Sequence, residues 1–286
     1  MRCLNLIPAN VAQFYHSMHG ERWPALLQAL MASEKQVARW NRFLASAPSQ
    51  AFTPLEQRGE IPRDEQGLLQ YYIMDPASYW AAKALDVQAG DRVLDMCAAP
   101  GGKTLVLAEA LRDEGELTAN EMSEARRERL KKVIQQYVPR DVRDRVWVTG
   151  KDGGKFALTH KQSFDRILVD APCSGEKHLF ETPKELQEWK PSRSEKLAQR
   201  QYALLTAALL ACKPEGRIVY STCSISNLEN DEVIERLMKK KEGQFQVLET
   251  ELPMKGTERT RFGIQMWPDV CEAGPIYYSV LQKNSD

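Results

Sequence analysis

The sequence predicts an α/β protein built on a mostly parallel sheet with helices on both faces. After Gly90, short apolar runs alternate with segments of helical periodicity, the pattern of strands joined by crossover helices. Paired glycines, acids and cysteines stand directly after those apolar runs, where a doubly wound sheet gathers its ligands. The chain has 286 residues, 43% hydrophobic and 27% charged, which suits one large or two small domains and excludes disordered, collagenous and coiled-coil chains.

The first third reads as helical. Pro24 suits a first helical turn, and Leu26, Leu27, Leu30, Val37, Trp40 and Leu44 recur at near-helical spacing, so a two-helix cap or docking element is expected as far as Leu44. From Ser46 to Gly67 the chain carries Pro48, Pro54, Gly59, Pro62 and Gly67 with few apolar residues, which reads as a linker or an irregular strand region between units. The expected division is therefore 1–67 for the N-terminal element and 68–286 for the main domain. Asp75 followed by Pro76 is an N-cap pair opening a short helix towards Leu85. Strands are predicted at Val93–Met96, Leu117–Ala119, Val146–Val148, Ile167–Val169 and Ile218–Tyr220. Helices are predicted at Thr104–Leu111, Ser123–Tyr137, Glu195–Cys212 and Leu228–Lys240, and the tail offers two closing strands at Phe245–Leu248 and Ile276–Leu281.

The 39 basic residues balance 39 acidic ones, which excludes a histone-like wrapper of nucleic acid while allowing a local basic groove. Cys3, Cys97, Cys173, Cys212, Cys223 and Cys271 show no CxxC spacing, so a disulfide framework, a zinc ribbon and a thioredoxin motif are all disfavoured and reduced thiols are expected. His16, His19 and His178 lack companion ligands, and no metal is expected. With no long apolar run and no signal-peptide pattern, the expectation is a soluble cytoplasmic chain without a membrane partner.

Five loops carry the candidate chemistry. The first is Cys97-Ala98-Ala99-Pro100-Gly101-Gly102-Lys103-Thr104, whose glycines let backbone approach a ligand at a helix start. It misses the first glycine of a phosphate-binding P-loop, and glycines serving packing alone are the plain alternative. The second strand ends at Asn120-Glu121, where a carboxylate can accept both ribose hydroxyls of a nucleoside. Such acids are more often solvated loop residues. Asp152, after the third strand, can meet an adenine amine, although a turn aspartate is the commoner case. The fourth and fifth strands end in Asp170-Ala171-Pro172-Cys173-Ser174-Gly175 and Ser221-Thr222-Cys223-Ser224, placing two cysteines at adjacent strand ends. One buried cysteine is ordinary packing, but two in one cleft are not.

In this order and spacing, CAAPGGKT (97–104), DAPCSG (170–175) and STCS (221–224) resemble the Sun-type, RsmB/RsmF-like RNA cytosine-C5 methyltransferases. The likeness extends to the segments at 14–30, 74–78 and 274–278, which look most like the compact organellar branch acting on ribosomal or transfer RNA. No NusB-like or PUA module is recognised. The resemblance implies a Rossmann-like class I methyltransferase fold with a seven-stranded sheet, S-adenosyl-L-methionine as cofactor, and methyl transfer to C5 of a cytosine in RNA by a monomer. Carried over, Cys97, Ala98, Ala99, Pro100, Gly101, Gly102 and Lys103 form the methionine-facing loop, with Glu121 on the ribose and Asp152 by the adenine. Asp170 faces the cytosine and borders the cofactor, Cys223 is the nucleophile, and Cys173 assists product release. Many members have aspartate where Glu121 stands, and either acid can accept the hydroxyls.

Cytosine C5 becomes nucleophilic when a thiolate adds to C6. Lys103 is the local cation expected to favour that thiolate at Cys223, and Asp170 is expected to supply a proton at N3. Attack perpendicular to the ring demands a single-stranded or flipped-out cytosine. Arg126, Arg127, Arg129, Lys131 and Lys132 read as a solvated helix face, and the N-terminal Arg22, Arg39 and Arg42 as the RNA platform. The rivals are a DNA cytosine methyltransferase using Cys173, a nucleotide-binding ATPase and a non-catalytic RNA-binding assembly factor.

Overall fold

The computed structural model describes residues 7–32, 36–55, 59–111 and 114–285, so the expectation of a free thiol at Cys3 lies outside the described residues. Helices α1 (Ala9–His19) and α2 (Trp23–Met31) open the described chain, with Pro24 in the first turn of α2. Their apolar faces (Val11, Tyr15, Trp23, Leu26, Leu27 and Leu30) are buried with Leu179, Phe180, Trp189 and Ile225 of the main domain.

Helical spacing ends there. Val37 and Trp40 bound a strand, β1 (Val37–Trp40), paired antiparallel with β2 (Phe52–Pro54) and β3 (Tyr71–Met74). The expectation of helix as far as Leu44 is therefore corrected. Val-Ala-Arg-Trp is too short to distinguish the two periodicities, and a partner strand more than thirty residues away decides between them. That small sheet also spans residue 67, since β1 and β2 precede it and β3 follows.

Helix α3 (Pro76–Lys83) starts where the Asp-Pro pair predicts. Asp75 Oδ1 accepts from the Ala77 amide at 2.7 Å, while Oδ2 accepts from the Gly274 amide at 2.8 Å and ties the helix start to the tail. The main sheet then builds outward from β4 (Arg92–Asp95) through α4 (Gly102–Leu111), β5 (Glu116–Asn120), α5 (Glu124–Tyr137), α6 (Arg140–Arg143) and β6 (Val146–Thr149). The chain returns to the other side of β4 as β7 (Phe164–Asp170), α7 (Glu176–Glu181), α8 (Pro183–Glu188), α9 (Ser192–Ala211) and β8 (Cys212–Thr222). It finishes with α10 (Asp231–Lys240), β9 (Phe245–Leu248), β10 (Thr257–Arg259), β11 (Ile264–Met266), α11 (Pro268–Cys271) and β12 (Ile276–Lys283).

Strand order is β10-β11-β12-β8-β7-β4-β5-β6, parallel from β8 to β6 and antiparallel at β12. The outer edge of β12 is shared by β9 along Val280–Lys283 and by β11 along Ile276–Tyr278. The short β10–β11 hairpin takes the sheet to nine strands where seven were expected. Helices cover both faces, which is why Ile167, Leu168 and Val169 run without polar alternation. Ile167 and Val169 pack with α9 and α10, whereas Leu168 packs with α3 and α4.

Because the chain leaves β4 in one direction and β7 in the other, the switch point lies between these neighbours. The loops after them open onto one crevice. No described helix is long and apolar enough to cross a membrane.

Candidate active site

The loop after β4 is set from below by Asp95, whose Oδ2 accepts from Thr104 Oγ1 at 2.7 Å while Oδ1 is buried without a hydrogen-bond partner. Burial, reinforced by Asp170, pushes the Asp95 carboxyl up to about 7. The two glycines have a packing role. Gly101 has φ +122°, and a Cβ there would stand 2.9 Å from Val133 of α5; one on Gly102 would stand 2.8 Å from the Tyr72 ring. Cys97 lies in the floor, where burial and then Asp95, Asp170 and Glu121 push its thiol well up.

Lys103, from the first turn of α4, donates to Asp170 Oδ2 at 2.8 Å, and Asp170 Oδ1 accepts from Ser221 Oγ at 2.8 Å. Burial alone would lower the Lys103 ammonium, but Asp170, Cys223 and Asp95 outweigh it and hold the group above its ordinary value.

Glu121 is 5% exposed at the end of β5. Its Oε1 accepts from the Ser123 amide at 2.8 Å, while Oε2 has Arg126 Nη1 at 3.1 Å but no hydrogen-bond partner. The expected solvated helix face is corrected at its first two residues. Arg126 donates to Ala99 O at 2.7 Å and Arg127 to Glu121 O at 2.9 Å, so α5 clamps the loops after β4 and β5 together. Buried Asn120 does the same for β5 and β6. It donates to Met96 O and Lys151 O and accepts from Thr149 Oγ1 and the Lys151 amide. Asp152, one residue on, is exposed and caps a short turn through the Gly154 amide at 3.1 Å.

The two cysteines meet. Cys173 Sγ and Cys223 Sγ are 2.8 Å apart, and the Cys223 amide donates to Cys173 Sγ at 3.2 Å. Cys223 is exposed and Cys173 half-buried. The hydrogen bond with Cys223, then burial, then the charges of Cys223, Glu229 and Glu176 raise the Cys173 thiol well above its usual range, and either sulfur can be the donor in the contact between them.

A cavity of about 680 Å³ opens at Cys173, lined by Trp189, Lys190, Arg193, Lys196 and Arg200 together with Glu185 and Glu188. Arg193 pairs with Glu185 at 3.1 Å; among the described residues Lys190, Lys196 and Arg200 form no ion pair. Sequence reading passed over this cleft, although its basic residues recur every three or four positions into α9, a one-face helical stripe.

The three arginines of the expected RNA platform are engaged within the fold. Arg22 is held by Asp269 and Glu258 over the Trp267 ring, Arg39 is 1% exposed and bound to Glu109, and Arg42 donates to the carbonyls of Pro48 and Ser49. All three are taken up by partners within the fold. His19 is likewise a packing residue, lowered to about 4 by burial and then by Arg22. Among the described residues no three His, Cys, Asp or Glu side chains gather as a metal requires.

The family model described as 16S rRNA methyltransferase RsmB/F matches residues 82–282. The chain is 42% identical over 200 residues to the 5-cytosine rRNA methyltransferase NSUN4 of Bos taurus, covering 66% of this chain and 52% of that protein. It is 34% identical over 286 positions to the NSUN4 of Mus musculus, covering 83% and 75%. With a mitochondrial tRNA (cytosine(34)-C(5))-methyltransferase of Danio rerio it shares 36% over 228 residues, covering 76% and 61%. The chain thus spans about half of the bovine relative and three quarters of the murine one. Among solved structures, a methyltransferase homologue from Pyrococcus horikoshii superposes with a TM-score of 0.81 at 23% identity, covering 99% of this chain and 97% of that one, which establishes the same fold.

The buried Asp95 carboxyl yields a stability prediction. Its folded value lies above its ordinary one, so its contribution is fully present below the ordinary value and is lost as pH rises through about 7. Between about pH 5 and pH 8, urea unfolding should show the wild type losing roughly 2 to 3 kcal/mol more than Asp95→Asn. Parallel losses in the two proteins would remove Asp95 as the titrating group.

Proposed function

The chain belongs to the RsmB/F family of 16S rRNA methyltransferases, and from that premise we propose that it transfers a methyl group from S-adenosylmethionine to C5 of a cytosine in RNA, with Cys223 as nucleophile. The observation that carries the reading is the sulfur pair at the switch-point crevice, 2.8 Å apart, with the exposed sulfur on Cys223 and the half-buried one on Cys173. A nucleophile has to be accessible, and a thiol that keeps its proton is the natural partner for a leaving thiolate.

The residues present fit the cofactor. Glu121 Oε2 is a buried carboxylate oxygen without a hydrogen-bond donor, which is what a pair of ribose hydroxyls would supply. The loop Cys97–Lys103 would hold the methionine end, Glu121 the ribose and Asp152 the adenine side. When bound, S-adenosylmethionine supplies an electrophilic methyl group on a sulfonium.

The chain's own residues do the rest. Cys223 Sγ adds to C6 of the cytosine, which moves electron density towards C5 and N3. The Lys103–Asp170 pair, joined at 2.8 Å, holds the proton that meets charge developing at N3. In this arrangement both Asp170 oxygens accept hydrogen bonds, so the ammonium rather than the carboxyl carries the donor hydrogen. Once C5 carries the methyl group, a base from solvent takes the C5 proton, the C5–H electron pair closes the C5–C6 double bond, and the C6–S pair leaves on Cys223 Sγ, which the Cys173 S–H stabilises by donating a hydrogen bond. Use of Cys173 as nucleophile, the DNA-type alternative, would require the more buried sulfur.

Ribosomal RNA is the substrate we place first, because the family description and the bovine and murine relatives name it. Transfer RNA, named for the zebrafish relative, is the second. The RNA backbone is assigned to the basic cleft beside Cys173, and residues 1–67 to supporting the site through the face that buries Tyr15. A nucleophilic thiol needs a reducing compartment, and the proposal extends to a cytoplasmic monomer.

Three outcomes follow. Glu121→Ala should weaken S-adenosylmethionine binding by roughly 1.5 to 3 kcal/mol in calorimetry, the scale of hydrogen bonds to a charged group. Unchanged affinity would take Glu121 out of the site. Replacing Lys190 and Lys196 by alanine should weaken RNA binding uniformly across sequences and reduce its salt slope by about 0.7 per residue on a single strand; an unaltered slope would place the backbone elsewhere. Finally, Cys223→Ala should abolish methyl transfer and form no covalent complex, whereas Cys173→Ala should accumulate an RNA adduct that survives denaturing electrophoresis. The reverse pair of results would make Cys173 the nucleophile.

A further inference from the structure

Behind the two sulfurs lie two fully buried carboxylates that the methyl-transfer chemistry does not use, Glu176 and Glu229. Glu176, three residues after Cys173, accepts from Ser224 Oγ at 2.8 Å and the Ile225 amide at 3.3 Å, both just after Cys223. Glu229, six residues after Cys223, accepts from the Ser174 amide at 2.9 Å and from Ser174 Oγ, both just after Cys173. Each cysteine loop thus carries the acid that grips the other. Gln201 Nε2 on α9 donates to Glu229 at 2.9 Å, and the Tyr15 hydroxyl on α1 donates to Glu176 at 3.0 Å, fixing the clasp to two outside helices.

We propose that Glu176 and Glu229 are positioning residues for the cysteine pair, a reciprocal clasp whose hydrogen bonds across the two loops set the distance between Cys173 Sγ and Cys223 Sγ. The inference deepens the proposed methyl transfer and rests on it only for the meaning of the sulfur pair, since the clasp itself is geometric. Burying two acids side by side is costly. Burial, and then Glu229, push Glu176 up to about 7, and apolar residues would fill the same space without that penalty. What apolar residues cannot do is accept hydrogen bonds from a loop amide and a hydroxyl at once. Through Tyr15 the clasp also makes α1 part of the site's support, although α1 carries none of the reacting groups.

The test reads the sulfur spacing directly and does not need turnover. Phenylarsine oxide condenses with two neighbouring thiols, forming two As–S bonds and releasing water, so its affinity reports whether Cys173 and Cys223 are held together. Wild type should bind one equivalent, and Cys173→Ala should lose it. Glu176→Ala and Glu229→Ala should bind it about 10-fold or more weakly, with kcat for RNA methylation down by about 100-fold, the scale of a misplacement near 1 Å. S-adenosylmethionine affinity and KM for RNA should stay near wild type. The conservative Glu176→Gln and Glu229→Gln should recover part of both losses, because the amide oxygen still accepts. If the alanine variants fail to fold, the glutamine variants and Ser224→Ala decide by the same two numbers. Wild-type arsenical affinity and kcat in folded variants would overturn the clasp. A wild-type enzyme that holds the arsenical but forms no methylcytosine would refute the methyltransferase reading and leave the clasp supported.

Discussion

The site depends on the register of one parallel strand pair. Asp170 on β7 lies opposite Ser221 on β8, and that pairing brings the loops three and two residues further along to a common point where the sulfurs touch. A slip of one residue would turn each side chain of β8 to the other face and send Cys223 away from Cys173. The register is held by apolar side chains on both faces, Ile167 and Val169 on one and Leu168 on the other. It is also locked at its chemical end, where Ser221 Oγ donates to Asp170 itself. The reciprocal bonds of Glu176 and Glu229 continue the same lock past the strand ends, into loops that would otherwise drift.

Around this pair the charges are arranged so that few groups are free to react. Lys103 is the cation buried beside Asp170, and it answers to Asp170, Cys223 and Asp95 together. Cys97 is raised by burial and neighbouring acids and Cys173 by its hydrogen bond with Cys223 and then burial, and Cys223 is the exposed sulfur of the crevice. Arg126 and Arg127 stay outside it, spending their donors on loop carbonyls, so the backbone that would surround the cofactor is stiffened from α5. Beside Cys173, in the cleft assigned to RNA, Lys190, Lys196 and Arg200 form no ion pair among the described residues.

Much of this was legible in the sequence because the signals were local. Strand ends followed by Gly-Gly, Glu121, Asp170-Ala-Pro-Cys and Thr-Cys could be read from apolar runs and the residues next to them, and the Asp75 cap from its Pro neighbour. What escaped depends on partners far along the chain. Val37–Trp40 fits either periodicity until Tyr71–Met74 pairs with it. Arg22 and Arg39 look like free cations until Asp269, Glu258 and Glu109 are in place. Glu176 and Glu229 went unread, since a clasp linking positions more than forty residues apart leaves no mark in a local window. The cleft along α9 is different, because its three-and-four spacing was visible and simply lay outside the motif loops.

The central claim is that Cys223 is the sulfur that bonds to the base. RNA carrying 5-fluorocytosine at the target position cannot lose a proton from C5, so an enzyme that adds to C6 and transfers its methyl group is trapped on the RNA. Digestion of that complex and mass spectrometry of the attached peptide should find the nucleotide on Cys223, with cofactor-dependent yield and one added methyl group. Attachment at Cys173, or no complex from an enzyme that methylates ordinary RNA, would contradict the account.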